Sequence, residues 1–209
     1  MENFRLIRSG IDVAPMLEEL GRNEALWFQD TSRQDQVAIH SKTRVIILRS
    51  KMDVASEDKQ VRESFPHSIT YVSHRQAAAT HFPSICRLVE DYAGSIGGLL
   101  ARVAIVNLLP GCAVERHSDT GLYYKLRSRF HLVIKSTAGS RLISDDEEVT
   151  MHAGELWWID NRKLHEAFND SDDDRIHVIF DVLSPASFLS SVGRSVRFRS
   201  RQVLGMIRS

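Results

Sequence analysis

Apolar positions in the second half of the chain fall in short β-branched runs, not at helical spacing. Residues 102–109, 129–135, 154–160 and 175–183 are four such runs, with shorter ones at 141–143 and 149–152. Pro110-Gly111 and the acidic clusters at 145–148 and 170–174 stand between them as turns. Many short strands separated by turn residues predict a mainly β fold with flanking helices, a jelly roll or related barrel. The first hundred residues have another texture. Residues 12–20 follow the pattern of a short amphipathic helix, and 43–49 (Thr-Arg-Val-Ile-Ile-Leu-Arg) predict a strand. Within 82–99, Ile85, Leu88, Val89 and Tyr92 recur at helical spacing, and Gly97-Gly98 supplies a stop. Residues 52–67 are charged, end near a proline and predict a loop. The expected organisation is a single domain over 1–209. A mixed α/β part (1–99) packs on a barrel core (100–185), and a basic tail follows (193–209).

Composition narrows the class without naming a chemistry. The chain has 209 residues, 43% hydrophobic and 26% charged, enough for one domain with a full core. Its 27 basic and 27 acidic side chains cancel, so bulk charge points to neither nucleic acid nor a membrane surface. Arg194, Arg197, Arg199, Arg201 and Arg208 make the tail basic; a solvated or interface-forming terminus is favoured over a nucleic-acid contact. Cys86 and Cys112 form no paired motif and are expected to be free thiols in a reducing cytosol. No leader or membrane-length apolar run is visible, so a soluble, cytoplasmic protein is expected.

The chemistry is concentrated in His117-Ser118-Asp119. A strand points alternate side chains to one face, so His117 and Asp119 could grip one ion together. His165 could add a third ligand, and Arg175 follows ten residues later. Two histidines and one carboxylate occupy one face of Fe(II) and leave open positions for substrate chemistry. The acidic run 170–174 reads as a hairpin turn, which would set His165 and Arg175 on neighbouring antiparallel strands. An arginine near such a metal has a clear use, because its planar fork binds a carboxylate and stays charged. Arg129 and His131 form a second alternating pair on the apolar strand Phe130-His131-Leu132-Val133-Ile134 and need buried partners. His177 shares the face of Arg175 if that strand is regular.

Residues 102–183 resemble the aspartyl/asparaginyl β-hydroxylase family of Fe(II)/2-oxoglutarate dioxygenases, including bacterial free-proline hydroxylases. The resemblance rests on Pro110-Gly111 ahead of His117, on Arg129-Phe130-His131-Leu132 and on Gly154-Glu155-Leu156-Trp157. It rests further on His165-Glu166-Ala167-Phe168-Asn169 and on Arg175 with Asp181. It implies a double-stranded β-helix, a cupin-like jelly roll. It implies that His117, Asp119 and His165 bind Fe(II), and that Arg175 holds the distal carboxylate of 2-oxoglutarate. Arg129 and His131 would line cosubstrate or substrate carboxylates. With O2, 2-oxoglutarate would be decarboxylated to succinate while a carbon of an amino acid or of an Asp/Asn-type peptide residue is hydroxylated. Asp119 departs from the vertebrate aspartyl hydroxylases, which lack a carboxylate there. Its presence leans toward a small amino-acid or peptide substrate and against halogenation. Val106 stands where those hydroxylases place a cosubstrate-binding serine; Asn107 or Tyr124 could replace it.

Each residue also has an ordinary structural explanation. His117 and Asp119 could be a surface pair, Arg175 could meet Asp173 or Asp174, and Arg129 could meet Asp160 or Asp181. Arg116, Arg127 and Arg129 are candidates for a substrate carboxylate, and Trp27, His40 and Arg44 for a covering lid. A non-enzymatic, cupin-like metal or ligand binder and a zinc hydrolase remain as competing functions. Oligomeric state has no signature in the sequence.

Overall fold

The computed structural model describes residues 2–28, 43–51 and 73–185. The chain opens with β1 (Phe4–Arg8), α1 (Ala14–Arg22) and a 3-10 turn (Glu24–Phe28). Strands β2 (Thr43–Lys51) and β3 (Ser73–Arg75) follow, then a second 3-10 turn (Ala77–His81) and α2 (Pro83–Ser95). The rest is β4 (Leu99–Leu108), β5 (Cys112–His117), the single-turn α3 (Leu122–Leu126), β6 (Ser128–Lys135), β7 (Ser140–Ser144), β8 (Glu147–Val149), β9 (Leu156–Ile159), β10 (His165–Asn169) and β11 (Arg175–Leu183).

Both main helices start where the sequence forbids an ordinary strand. A proline stands in the first turn of each, where its missing N–H is no loss. The Asp12 carboxylate accepts from Ala14 N–H at 3.0 Å, and Glu19 of α1 accepts from Ser84 N–H at 2.8 Å in the first turn of α2. Gly97, at φ +62°, then turns the chain out of α2 toward β4.

Among the described residues eleven strands form two antiparallel sheets that face each other as a jelly roll. One has seven strands in the order β1-β9-β6-β11-β4-β2-β3; the other has four, β5-β10-β7-β8. The central strands of the larger sheet are buried on both faces, which explains the nearly unbroken apolar runs of β6 and β11. Ile176, Val178, Phe180 and Val182 of β11 point outward, and with Phe130, Leu132 and Ile134 of β6 they meet α1 and α2 through Met16, Leu20, Ile85 and Val89. Alternate residues point inward. Leu108, Val133, Trp157 and Ile159 pack there against Leu142, Val149 and Ala167 of the smaller sheet. Trp157 and Trp158 divide as the alternation requires, with Trp157 buried between the sheets and Trp158 partly exposed under Arg5.

The expected hairpin between His165 and Arg175 does not form. β10 pairs with β5 and β7, whereas β11 pairs with β4 and β6. Residues 170–174 therefore carry the chain from one sheet to the other. Both strands already have two partners, so His165 and Arg175 meet across the barrel interior, not along a shared ladder. Cys86 and Cys112 are free thiols. No helix among the described residues is long and apolar enough to cross a membrane. The loop expected at 52–67, His40 and the basic tail at 193–209 lie outside the described residues.

Candidate metal centre

His117 closes β5 and His165 opens β10, and the two are direct register partners. Their ring centroids are 4.3 Å apart. Each ring is oriented by the backbone just before it. His117 Nδ1 contacts the Glu115 carbonyl at 2.7 Å, and His165 Nδ1 contacts the Lys163 carbonyl at 2.9 Å. A carbonyl only accepts, so both Nδ1 atoms carry hydrogen, and the atom of each ring left to ligate a metal is Nε2. Burial, aided by the neighbouring His117, lowers the pKa of His165 and keeps that ring neutral, although the Lys163 carbonyl opposes the shift.

Asp119 lies beyond the end of β5, so strand alternation is not what sets it. Its N–H donates to the Asn161 carbonyl at 3.0 Å. Its Oδ2 accepts from Asn161 Nδ2 at 2.7 Å and from Arg129 Nη1. Among the described residues Oδ1 accepts no hydrogen bond. Asn161 is a site residue that sequence reasoning missed, as is Arg102. Asn161 sits in the polar turn Asp160-Asn161-Arg162-Lys163 before His165, and its residue type alone reads as turn chemistry.

Arg129 alters an expectation. Its Nε and Nη2 hold both oxygens of Asp181 at 2.9 and 3.1 Å, and Nη1 reaches Asp119. Tyr123 Oη also donates to Asp181 at 3.0 Å. Burial works against the charge of Arg129, but Asp181 and then Asp119 outweigh it, and the pKa is raised. Three of its five N–H groups are thus engaged by two carboxylates of the protein, so Arg129 braces Asp119 while still lining the cavity.

Arg175 is in the opposite state. It is 5% exposed, yet among the described residues it has no hydrogen bond and no ion pair. Asp173 is engaged by Lys135 at 2.7 Å, not by Arg175. Burial alone pulls the Arg175 pKa down to about 10. His131 is also buried, and its Nδ1 lies 3.3 Å from Nδ1 of His177. Burial, then the charge of Arg175, pushes both imidazoles well below their usual pKa.

These side chains line one cavity of about 190 Å³ between the sheets. Its lining includes His117, Asp119, His165, Arg129, His131 and Arg175 together with the apolar Val45, Ala104, Val106, Val114 and Ile179. All six sequence candidates therefore converge. Tyr124 and Arg102 line the same space; Asn107, Arg116, Arg127, Trp27 and Arg44 do not. Arg116 pairs with Glu166 at 3.8 Å, Arg127 stacks on Tyr123, Arg44 lies over Phe28, and Trp27 is core.

Among the described residues no three His, Cys, Asp or Glu side chains already enclose a point where an ion could sit. The donor chemistry nevertheless fits a divalent iron. Two Nε2 lone pairs have fixed tautomers, and one carboxylate oxygen is free while its twin is braced by Arg129 and Asn161.

Residues 69–185, more than half of the chain, match the family described as Aspartyl/Asparaginyl beta-hydroxylase. The chain belongs to that family. Among characterised relatives of this hydroxylase-family chain is the L-proline cis-4-hydroxylase of Rhizobium meliloti (strain 1021), 27% identical over 191 residues. The alignment covers 90% of this chain and 64% of the relative's length, so the chain spans about two thirds of that protein. The fold is shared with solved structures of much lower identity. An oxidoreductase of the 2OG-Fe(II) oxygenase family from Burkholderia pseudomallei superposes with TM-score 0.56 at 12% identity, over 87% of this chain and 84% of its own. The viral collagen prolyl hydroxylase from Paramecium Bursaria Chlorella virus-1 gives 0.51 at 8% identity, over 87% and 96%.

Proposed function

We propose that this family member is an Fe(II)- and 2-oxoglutarate-dependent hydroxylase of a free amino acid of the proline class. The observation that carries the reading is Arg175. A buried guanidinium without a carboxylate partner among the described residues is expensive to keep, and it lines the cavity that holds the His117, Asp119 and His165 donors. An anionic ligand entering that cavity would supply the missing partner.

His117 and His165 would hold the metal through Nε2, and Asp119 through Oδ1. Bound iron, 2-oxoglutarate and O2 would supply the oxidising chemistry, with succinate, CO2 and a hydroxylated carbon as products, one atom of O2 entering succinate and the other the substrate. The protein's part is placement. Arg175 would take the distal carboxylate of the cosubstrate in a bidentate pair. Arg129 and Asn161 would hold Asp119 to a single ligating oxygen. The walls of Val45, Ala104, Val114 and Ile179 would exclude water and seat an apolar ring. Arg102, from β4, offers a guanidinium to a substrate carboxylate in the same cavity. The proline class is supported by the name of the curated relative.

The test is succinate release by the full chain with Fe(II), 2-oxoglutarate, O2 and a panel led by L-proline. Succinate and a hydroxylated product are expected from wild type, with at least a hundredfold less from His165→Ala. Full turnover by His165→Ala would remove the metal assignment. Metal binding without succinate across the panel would leave a cupin-like binding protein instead.

A further inference from the structure

His131 and His177 form a buried pair that the proposed chemistry uses only in part. The two Nδ1 atoms, 3.3 Å apart, share one hydrogen. Nε2 of His177 is buried and has no hydrogen-bond partner among the described residues. His131 lines the cavity, and its Nε2 has no hydrogen-bond partner among the described residues. Both rings are neutral, because burial and then the charge of Arg175 disfavour a second proton on either.

A neutral pair of this kind has two arrangements. If His131 donates, His177 must carry its hydrogen on Nε2, which leaves an orphaned N–H in an apolar interior. The cavity then sees a lone pair on His131. If His177 donates, its Nε2 is a bare lone pair and His131 presents N–H to the cavity. A buried unpaired N–H is the rarer and costlier defect. A carboxylate, moreover, accepts hydrogen bonds and is repelled by a lone pair. The orphaned atom and the ligand select the same arrangement.

We propose that His177 is a positioning residue: it donates from Nδ1 to His131 and so fixes His131 as an Nε2–H donor toward the anion held by Arg175. The inference rests on the reading that a carboxylate such as 2-oxoglutarate occupies this cavity. Arg175 and His177 are two apart on β11, and His131 on β6 is the register partner of Ile179, diagonal to His177, so one patch of the sheet carries anchor, donor and brace.

The tautomer is read by nitrogen-15 NMR of the histidine rings in the full chain loaded with redox-inert Zn(II). His131 is expected as the Nε2–H form, its signal moving when 2-oxoglutarate is added. An Nδ1–H form of His131 overturns the proposal. Kinetics supply a second readout. His177→Phe keeps the ring but removes the donor, and should raise KM for 2-oxoglutarate about fivefold or more with kcat within about twofold. His177→Asn places an amide near the lost Nδ1 and should recover most of the affinity. Equal KM for His177→Phe and wild type overturns the proposal, as does a fall in kcat alone. Should His177→Phe fail to fold, the wild-type spectrum and His177→Asn still decide. If wild type shows the Nε2–H form but never binds 2-oxoglutarate, the cosubstrate reading falls and the tautomer assignment stands.

Discussion

Arg129 and Arg175 enter one cavity from neighbouring strands but stand in opposite electrostatic settings. Arg129 compensates two carboxylates, and Asp181 behind it is 1% exposed. Removing Arg129 strands a buried charge, which costs about 3–5 kcal/mol. Among the described residues Arg175 compensates no carboxylate. Replacing it with an apolar chain of similar length relieves its desolvation and removes no bond. Urea unfolding of the metal-free chain should therefore separate the two. Arg129→Met is expected to lose about 3–5 kcal/mol, whereas Arg175→Met stays within about 1 kcal/mol of wild type or exceeds it. The same Arg175→Met protein should lose 2-oxoglutarate binding. Equal destabilisation of both variants would mean that Arg175 has structural work, and the anchor reading would fail. The sequence named both arginines but could not tell them apart, because the distinction depends on which carboxylate the fold brings near. Asp181 reaches Arg129 only because Arg129 and Asp181 are register partners on β6 and β11.

At the scale of elements, strand positions were legible and strand partners were not. Unbroken β-branched runs mark β4, β6 and β11 in the sequence, and helical spacing marks α2. The strand β1 was not expected, although Phe4 is core and β1 closes one edge of the larger sheet on β9. Five residues at the chain start carry too little pattern to stand out. The crossing at 170–174 was read as a hairpin because a short polar turn between two strands has the same local chemistry in either case. What separates the two is contact made elsewhere. The β6–β7 connection also crosses between the sheets, and the two crossings press on each other at Gly139. A Cβ there would lie 2.8 Å from the backbone of Asp170 and Ser171, while Asp170 N–H donates to the Gly139 carbonyl at 2.9 Å. Backbone cannot retreat as a flexible side chain can. Gly139→Ala is expected to cost about 1–3 kcal/mol in urea unfolding, as overpacking does. An unchanged midpoint would show that the two crossings are not held against each other.

For the molecule as a whole, the larger sheet separates two environments. Its outer face builds an apolar core under the helices, and its inner face carries Arg129, His131, Arg175, His177 and Asp181 into the barrel. Such a sheet is stable only while its buried imidazoles remain neutral, and this gives the fold a pH dependence of known sign. In the unfolded chain a histidine titrates near 6.5. In the folded chain His131 and His177 titrate well below that, through burial first and the charge of Arg175 second. Above about pH 6.5 both are neutral in either state, and stability is complete. As pH falls through that value, the unfolded chain takes up protons that the folded chain refuses. Stability then declines by up to about 1.4 kcal/mol per pH unit for each histidine until the folded pKa is reached. Urea midpoints of the metal-free chain between pH 7.5 and 5 should show this decline, and His177→Phe should show a shallower one because a proton-linked site is gone. Coincident slopes for the two proteins would mean that His177 accepts a proton in the folded state as readily as in the unfolded one. That would remove the neutral pair on which the donor role of His131 depends.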